Sequence, residues 1–226
     1  QRLDAINDQL LSSGLASYLA QRQARLATDE DILRIHDAAY VQKLKEQLPQ
    51  QGYFNIDPDT LMNPHTLEAA YAAAGAGLDA VDGVMNEGAT GAFCAVRPPG
   101  HHAERARAMG FCFFNNIAVA VAYALEKYDL KRVLIVDFDV HHGNGTEQIF
   151  AGDERVLLRV RRAAHTVMPS DAAMKIRNDA MAIAFGSPSA DVIAAFTGYR
   201  PDTAFLSELT VEMSPVTEGG ARLYRA

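Results

Sequence analysis

The sequence is poor in cysteine and in long apolar runs, and each shortage excludes a class of protein. It contains two cysteines, Cys94 and Cys112, which are too few for a disulfide framework and are not spaced as a four-ligand structural zinc site. We expect both to be buried, reduced thiols. The longest uncharged apolar stretch, residues 117–125, is far shorter than the roughly 20 residues of a membrane span, and no signal-peptide pattern opens the chain. We therefore predict a cytoplasmic protein without a membrane partner.

Positive charge is also scarce, since 21 lysines and arginines face 28 aspartates and glutamates and the formal net charge is −7. A general nucleic-acid binder needs a basic surface that displaces counterions from phosphate, so we expect no direct nucleic-acid partner. An acidic surface suits a cationic substrate better. Because 49% of the 226 residues are hydrophobic, the composition predicts one globular domain with a sizeable core.

Hydrophobic periodicity predicts a helical amino-terminal part of the chain. Thr28, followed by three acidic residues, is the expected cap of the second helix. Within the third helix, Gly75 and Gly77 indicate either a soft spot or a close packing contact. The predicted helices cover residues 2–19, 28–48 and 66–85, and the stretch 47–64 is expected to be loop.

Short apolar segments then alternate with helices, which predicts an α/β fold built on a parallel sheet. The segment Val133–Val136 is apolar on both faces, as expected of a central strand covered by helices on both sides. The predicted strands are 92–96, 132–137, 155–160 and 203–206, and the predicted helices are 116–127 and a segment near 191–197.

A polar segment directly follows the predicted central strand. Side chains alternate along a strand, so Asp137, Asp139 and His141 would share one face at its carboxyl end, where open parallel sheets build their sites. Two carboxylates and an imidazole at one point desolvate badly without a cation, and their O, O and N donors suit a divalent metal with open positions. The alternative is a loop that is polar by chance. Gly143 and Gly145 would permit a tight turn that returns the chain beside the site.

A second polar segment, Arg97–Ala103, follows the preceding predicted strand. Two prolines stiffen this loop and a glycine lets it turn, so His101 and His102 are delivered together on a rigid support. Two imidazoles with pKa values near neutrality can divide the duties of base and acid. A lone histidine pair is usually a surface accident, but a second pair, His141 and His142, also follows a predicted strand.

An aromatic cluster over residues 110–116 leads into the next predicted helix. Core packing explains most of its rings. One ring can instead line an apolar channel.

The sequence resembles the histone deacetylase superfamily in three segments, residues 97–103, 110–116 and 137–146. Their motifs are similar to those of its class II and bacterial histone-deacetylase-like amidohydrolases. The amino-terminal helices, including His36–Leu44, are also similar to that family. The resemblance implies an α/β, arginase/deacetylase-like fold with a central parallel β-sheet flanked by helices. It also implies that residues 1–226 form a single deacetylase-like domain.

The resemblance assigns the chemistry to particular residues. Asp139 and His141 correspond to zinc ligands, and His101 and His102 correspond to the catalytic histidines beside the attacking water. Asp137 would pair with His101 and would help to hold a structural potassium ion. The implied mechanism is metal-assisted amide hydrolysis, in which a histidine takes the proton of the water and the amine leaves after protonation.

Two further positions complete the site that the resemblance implies. Asn144 would give His102 a neutral partner. Phe111, next to Gly110, corresponds to a wall of the substrate channel that holds the acyl-lysine stem.

The later part of the chain departs from the family. The family's third zinc ligand, an aspartate, and its catalytic tyrosine have no counterpart, and Glu208 and Glu212 are the candidate substitutes for that ligand. Residues 218–224 suggest the start of a helix instead of a tyrosine loop. The chain matches poorly after about residue 151, so we expect the domain to be incomplete at both ends.

These patterns predict a zinc-dependent amidohydrolase that removes acetyl or other short acyl groups from lysine side chains or polyamines. The main alternative is a catalytically impaired, deacetylase-like module that binds acylated lysine without turnover. A two-metal hydrolase of the arginase type would need more carboxylates near His141 and a manganese requirement. The sequence does not specify an oligomeric state.

Overall fold

The computed structural model describes residues 2–137, 139 and 141–160, together with strands at residues 194–197 and 222–225. For residues 159 and 160 and for the last two strands it describes the backbone alone. The strand predicted over residues 203–206 lies outside the described residues, as do the candidate ligands Glu208 and Glu212.

Helices and strands alternate along most of the described chain. In chain order they are α1 Arg2–Ser12, a 3-10 helix Leu15–Tyr18, β1 Ala20–Gln23, α2 Asp29–Leu33, α3 Ala38–Glu46, β2 Phe54–Asn55, β3 Leu61–Met62, α4 Thr66–Met85, β4 Ala92–Ala95, α5 Asn116–Lys127, β5 Val133–Asp137, α6 Asn144–Ile149, β6 Val156–Val160, β7 Ala194–Thr197 and β8 Arg222–Arg225.

Parallel pairing dominates the sheets. Strand β5 lies between β6 and β7, and β8 lies between β1 and β4, with every neighbouring pair parallel. Strands β2 and β3 form a short antiparallel pair inside the stretch that was predicted to be loop. The predicted mixed α/β class is confirmed, whereas one continuous central sheet stays a prediction.

The core forms around β5 and the helices α4 and α5. All five residues of β5 are buried, as its apolar sequence predicts for a strand covered on both faces. Gly75 packs so closely on the carbonyl of Arg25 that a Cβ would overlap it, and a Cβ at Gly77 would lie 3.0 Å from that of Ala120. The structure therefore supports the close packing contact, and not the soft spot, for these two glycines.

Two of the amino-terminal predictions need correction. The helix predicted over residues 2–19 ends at Ser12, because Gly14 adopts a left-handed conformation with φ of 75°. The helix predicted from Thr28 onward is two helices, since the amide of Asp37 donates to the carbonyl of Arg105 and not to a helical carbonyl.

The cap at Thr28 is confirmed. Its hydroxyl accepts from the amide of Asp31, and the Asp31 carboxylate accepts from the amide of Thr28, which is a complete capping box. The helices predicted over residues 66–85 and 116–127 match α4 and α5.

The helix predicted near residues 191–197 is wrong where it is described, because Ala194–Thr197 forms β7. Pairing with the open edge of β5 satisfies a row of backbone groups, which outweighs the helix propensity of the two alanines. Residues Arg222–Arg225 likewise form β8 where the sequence suggested the start of a helix.

Both cysteines carry free thiols, and Cys112 is buried whereas Cys94 is half-buried. Desolvation raises the pKa of each thiol to about 12, so both remain protonated at neutral pH. Within the part of the chain that is described, none of the helices is long and apolar enough to cross a lipid bilayer.

Candidate active site

The loop after β4 lies against the segment that follows β5. The amides of Gly145 and Thr146 both donate to the carbonyl of His101, at 3.0 and 3.2 Å. These bonds fix the backbone of the histidine loop to the start of α6. The two polar segments of the sequence therefore form one site.

His101 is held by Asp137, the last residue of β5. Its Nδ1 lies 2.9 Å from Oδ2 of Asp137, whose side chain is 1% exposed. Oδ1 of the same carboxylate accepts from the amide of Asp139 at 3.2 Å. Because a carboxylate accepts and does not donate, Nδ1 of His101 carries the proton, and in the neutral ring Nε2 has the free lone pair.

His102 stacks beside it, with the two ring centroids 4.0 Å apart. Its Nδ1 lies 2.7 Å from Oδ1 of Asn144, so each histidine has its own partner. Burial lowers the pKa of His102, and the neighbouring imidazoles of His101 and His141 lower it further, against the opposing effects of Asn144 and Asp139. The lowered pKa favours the neutral ring, which can accept a proton.

Asp139 and His141 form the candidate metal pair. Nδ1 of His141 lies 3.2 Å from Oδ1 of Asp139, and the His141 amide donates to the same oxygen at 2.8 Å. Two donor atoms of a tetrahedral zinc site lie about 3.3 Å apart when each is about 2.0–2.1 Å from the metal. The same separation is that of a hydrogen bond between the ring and the carboxylate, so the pair is compatible with two positions around a zinc ion.

Asp137 does not join that pair as the strand alternation suggested, because its carboxylate is bonded to His101. Within the described residues there is no group of three or more His, Cys, Asp or Glu side chains that could hold a metal. His142 is separate as well, because its Nε2 lies 2.7 Å from a carboxylate oxygen of Glu147.

Glycines let the loops approach these side chains closely. Gly143 has φ of −75°, so it is not required for a left-handed turn. It is required because a Cβ there would overlap Oδ2 of Asp137. Gly145 similarly faces the carbonyl of Ala103. The predicted tight turn is present as an inverse γ-turn centred on Gly143, in which the amide of Asn144 donates to the carbonyl of His142 at 2.9 Å. Any residue can adopt that turn, so close packing is the reason for glycine at these two positions.

The aromatic cluster divides into buried and exposed rings, and the channel role of one ring stays a prediction. Phe113 and Phe114 are buried in the core, whereas Phe111 is 60% exposed. Phe111 has φ of 66°, unusual for a bulky residue, and its amide donates to the buried hydroxyl of Thr60 at 3.2 Å. Gly110, the residue before Phe111, packs on the ring of His102.

Sequence reasoning missed a buried polar network behind the site. Nε2 of His36 accepts from the amide of Asn115 at 3.0 Å, so its Nδ1 donates to the carbonyl of Arg105 at 3.2 Å. The Asn115 amide group donates to the carbonyl of Ala103 and to the hydroxyl of Thr146. The one available signal was an asparagine at the cap of a helix, where it also accepts from the amide at N3.

His36 is 3% exposed, and burial lowers its pKa to about 4. The ring is therefore neutral at physiological pH, as its one donated and one accepted hydrogen bond require. Glu104 was missed too, although its carboxylate accepts from the side-chain amide of Asn144 at 2.9 Å.

Comparisons with known proteins agree with the family resemblance of the sequence motifs. The family model of the histone deacetylase domain matches residues 1–169. Human polyamine deacetylase HDAC10 is 41% identical over 165 residues, which are 70% of this chain and 24% of that protein. The histone deacetylase-like amidohydrolase of Pseudomonas aeruginosa is 43% identical over 145 residues, which are 64% of this chain and 38% of that protein.

A solved structure is also similar. The crystal structure of the HDA15 HD domain superposes with a TM-score of 0.65 at 38% identity, covering 70% of this chain and 44% of that one. The chain thus spans less than half the length of each of these three relatives.

Proposed function

Because the chain belongs to the histone deacetylase family, as its sequence motifs predicted, we propose that it hydrolyses the acyl amides of lysine side chains or polyamines. The observation that carries this proposal is the histidine pair, in which His101 and His102 lie 4.0 Å apart and each is held through Nδ1 by a different partner. Both rings then have Nε2 available to exchange a proton.

The two histidines have different partners and therefore different duties. Asp137 gives His101 an acidic partner, with its carboxylate oxygen 2.9 Å from Nδ1 of the ring. Asn144 is a neutral amide, and its hydrogen bond raises the pKa of His102 by less than burial lowers it. We assign His102 as the base that takes the proton of the attacking water, and His101 as the group that stays charged or delivers a proton to the leaving amine.

Asp139 and His141 are the residues proposed to hold a catalytic zinc ion. Zinc bound there would supply Lewis-acid polarisation of the acyl carbonyl. The fit rests on the 3.2 Å separation of their donor atoms. A third protein ligand has to come from outside the described residues, and Glu208 and Glu212 remain the candidates in this chain.

A structural potassium ion is proposed beside Asp137, because the buried carboxyl oxygens are donors of the kind that this cation takes. Phe111 and Gly110 are proposed to form part of the wall of the substrate channel, since the exposed ring adjoins the glycine that touches His102.

We further propose that residues 1–226 belong to one deacetylase domain, of class II character and with one central parallel sheet.

The substrate class follows from chemistry and from the named relatives. An acidic protein, with a formal charge of −7, attracts cationic chains that carry an acylated nitrogen. Both lysine-rich peptides and polyamines have this character, and one relative is named as a polyamine deacetylase.

Acetate release tests the proposal directly. The purified protein is incubated with an acetyl-lysine peptide or with an N-acetylated polyamine, before and after chelation and after zinc is restored. We expect turnover that the chelator removes and zinc restores. Absence of acetate with both substrates at every zinc concentration would contradict the proposal.

A binding module is the second candidate, because the described residues supply only two metal donors. Saturable binding of an acetyl-lysine peptide, measured by calorimetry without any hydrolysis, would favour it over the enzyme.

A further inference from the structure

The side-chain amide of Asn144 lies between two acceptors and a histidine. Its Nδ2 donates to Oε1 of Glu104 at 2.9 Å and lies 3.4 Å from the sulfur of Met109. Its Oδ1 lies 2.7 Å from Nδ1 of His102. An amide group has a donor end and an acceptor end, so its orientation decides what it can offer to the histidine.

Glu104 fixes that orientation. An ionised carboxylate accepts hydrogen bonds and does not donate, so the amide nitrogen must face it, and the sulfur of Met109 is on the same side. The carbonyl oxygen of Asn144 then faces His102 and can only accept. Nδ1 of His102 therefore carries the proton, which leaves the lone pair on Nε2.

The opposite orientation would have a chemical consequence. If the amide of Asn144 turned by half a rotation, its nitrogen would donate to His102, and the proton of the neutral ring would move to Nε2. Nε2 would then already carry the proton and could not accept another. The tautomer of His102 thus depends on a carboxylate that acts through the Asn144 amide.

We propose that Glu104 is a positioning residue, which orients the Asn144 amide and so keeps the lone pair of His102 on Nε2. The catalytic consequence rests on the proposed function, in which His102 is the base. The structural consequence, the tautomer of His102, does not depend on turnover.

The backbone around Glu104 supports this assignment. The amide of Glu104 donates to the carbonyl of Arg107 at 2.9 Å, and Ala103 before it is completely buried. The carboxylate therefore projects from an anchored segment.

The tautomer is measured by two-bond proton–nitrogen NMR of protein with 15N-labelled histidine, at a pH where the rings are neutral. The nitrogen shifts report which ring nitrogen carries the proton, and the His102 signals are those lost in His102→Gln. We expect the Nδ1-protonated form in the wild type. In Glu104→Gln, whose amide is isosteric but can donate as well as accept, we expect a mixture with the Nε2-protonated form.

A compensating variant separates orientation from simple packing. Asn144→Asp alone places two carboxylates at hydrogen-bond distance, which is unfavourable. In Glu104→Gln/Asn144→Asp, the glutamine can donate to the aspartate, and the aspartate can only accept from His102. We expect the double variant to return His102 to the Nδ1-protonated form and to recover part of the turnover lost in each single variant.

The expected loss of kcat in Glu104→Gln is roughly 3- to 30-fold, because a charge-assisted hydrogen bond becomes a neutral one. A single, unchanged Nδ1-protonated signal in Glu104→Gln would overturn the proposal, as would an Nε2-protonated His102 in the wild type. Absence of wild-type turnover would contradict the proposed enzyme, whereas the NMR signals would still decide the role of Glu104.

Discussion

Nδ1 of His101 lies 2.9 Å from Oδ2 of Asp137, and this carboxylate is almost completely buried. The pair joins the loop after β4 to the end of β5 and fixes the tautomer of the ring. A buried carboxylate against an imidazole both orients the ring and stabilises its protonated form.

Asp137→Asn tests this relationship. The amide removes the negative charge and can turn its nitrogen toward Nδ1, which forces the wrong tautomer on His101. We expect kcat to fall by roughly 10²-fold or more, as for other losses of a positioned acid or base. Steady-state kinetics measures it, and an unchanged circular dichroism spectrum shows that the fold is kept. Wild-type kcat in this variant would remove Asp137 from the mechanism.

Gly143→Ala tests the close packing at the same carboxylate. The added methyl group would overlap Oδ2 of Asp137, so the contact with His101 must lengthen. We expect overpacking to cost about 1–3 kcal/mol of unfolding free energy, together with a loss of activity. Gly91→Ala is the matched control, because a Cβ at Gly91 meets open space. Equal behaviour of the two variants in denaturant unfolding and turnover would contradict the packing account.

The roles proposed for Asp139 and His102 predict that substituting these two residues has different effects on zinc retention and on turnover. Asp139→Ala removes a proposed ligand, so zinc is expected to be lost on dialysis. His102→Ala removes the proposed base, so zinc is expected to stay while kcat falls by about 10²-fold or more. Elemental analysis by mass spectrometry and acetate release measure the two effects. Zinc retained by Asp139→Ala at the wild-type level would reject the ligand assignment.

The buried network gives a pH dependence of stability. Burial lowers the pKa of His36 to about 4 in the folded protein, from the ordinary 6.5 of an exposed histidine. As pH falls through this window, the unfolded chain binds a proton that the folded chain resists, so stability is lost between about pH 6.5 and pH 4. Between pH 7.5 and pH 5 the loss expected from this group is about 2 kcal/mol.

Denaturant unfolding at both pH values measures that loss. His36→Gln is expected to remove the contribution of this group, about 2 kcal/mol between pH 7.5 and pH 5, since glutamine does not titrate, although the variant is less stable at pH 7.5. His65→Gln is the matched control, because it replaces an exposed histidine by the same residue. An identical slope in wild type and His36→Gln would contradict the prediction.

The sequence predicted the parts of this molecule that depend on local signals. The ends of α4 and α5, the cap at Thr28 and the buried β5 follow from periodicity, capping and apolar composition. The break between α2 and α3 was not predictable in this way, because it depends on a hydrogen bond from Asp37 to the distant Arg105. The strand β7 was missed for the same reason, since its pairing with β5 overrides local propensity.

In the candidate site, too, the residues with a local sequence signal were predicted and those without one were missed. The histidine and aspartate motifs identified the residues, and the structure brings His101, His102, Asp137 and Asn144 into hydrogen-bonded pairs. The partners one contact further away, such as Glu104, carry no sequence signal because their importance comes from which end of an amide they face. The roles assigned from the family resemblance stay predictions until they are measured.

The most direct measurement compares acetate release by the wild type and by His101→Ala/His102→Ala, both loaded with zinc. The account predicts chelator-sensitive turnover by the wild type, and at least a roughly 10²-fold lower rate in the double variant with unchanged circular dichroism. A wild type without turnover on acetyl-lysine peptides and acetylated polyamines, or a double variant as active as the wild type, would contradict it.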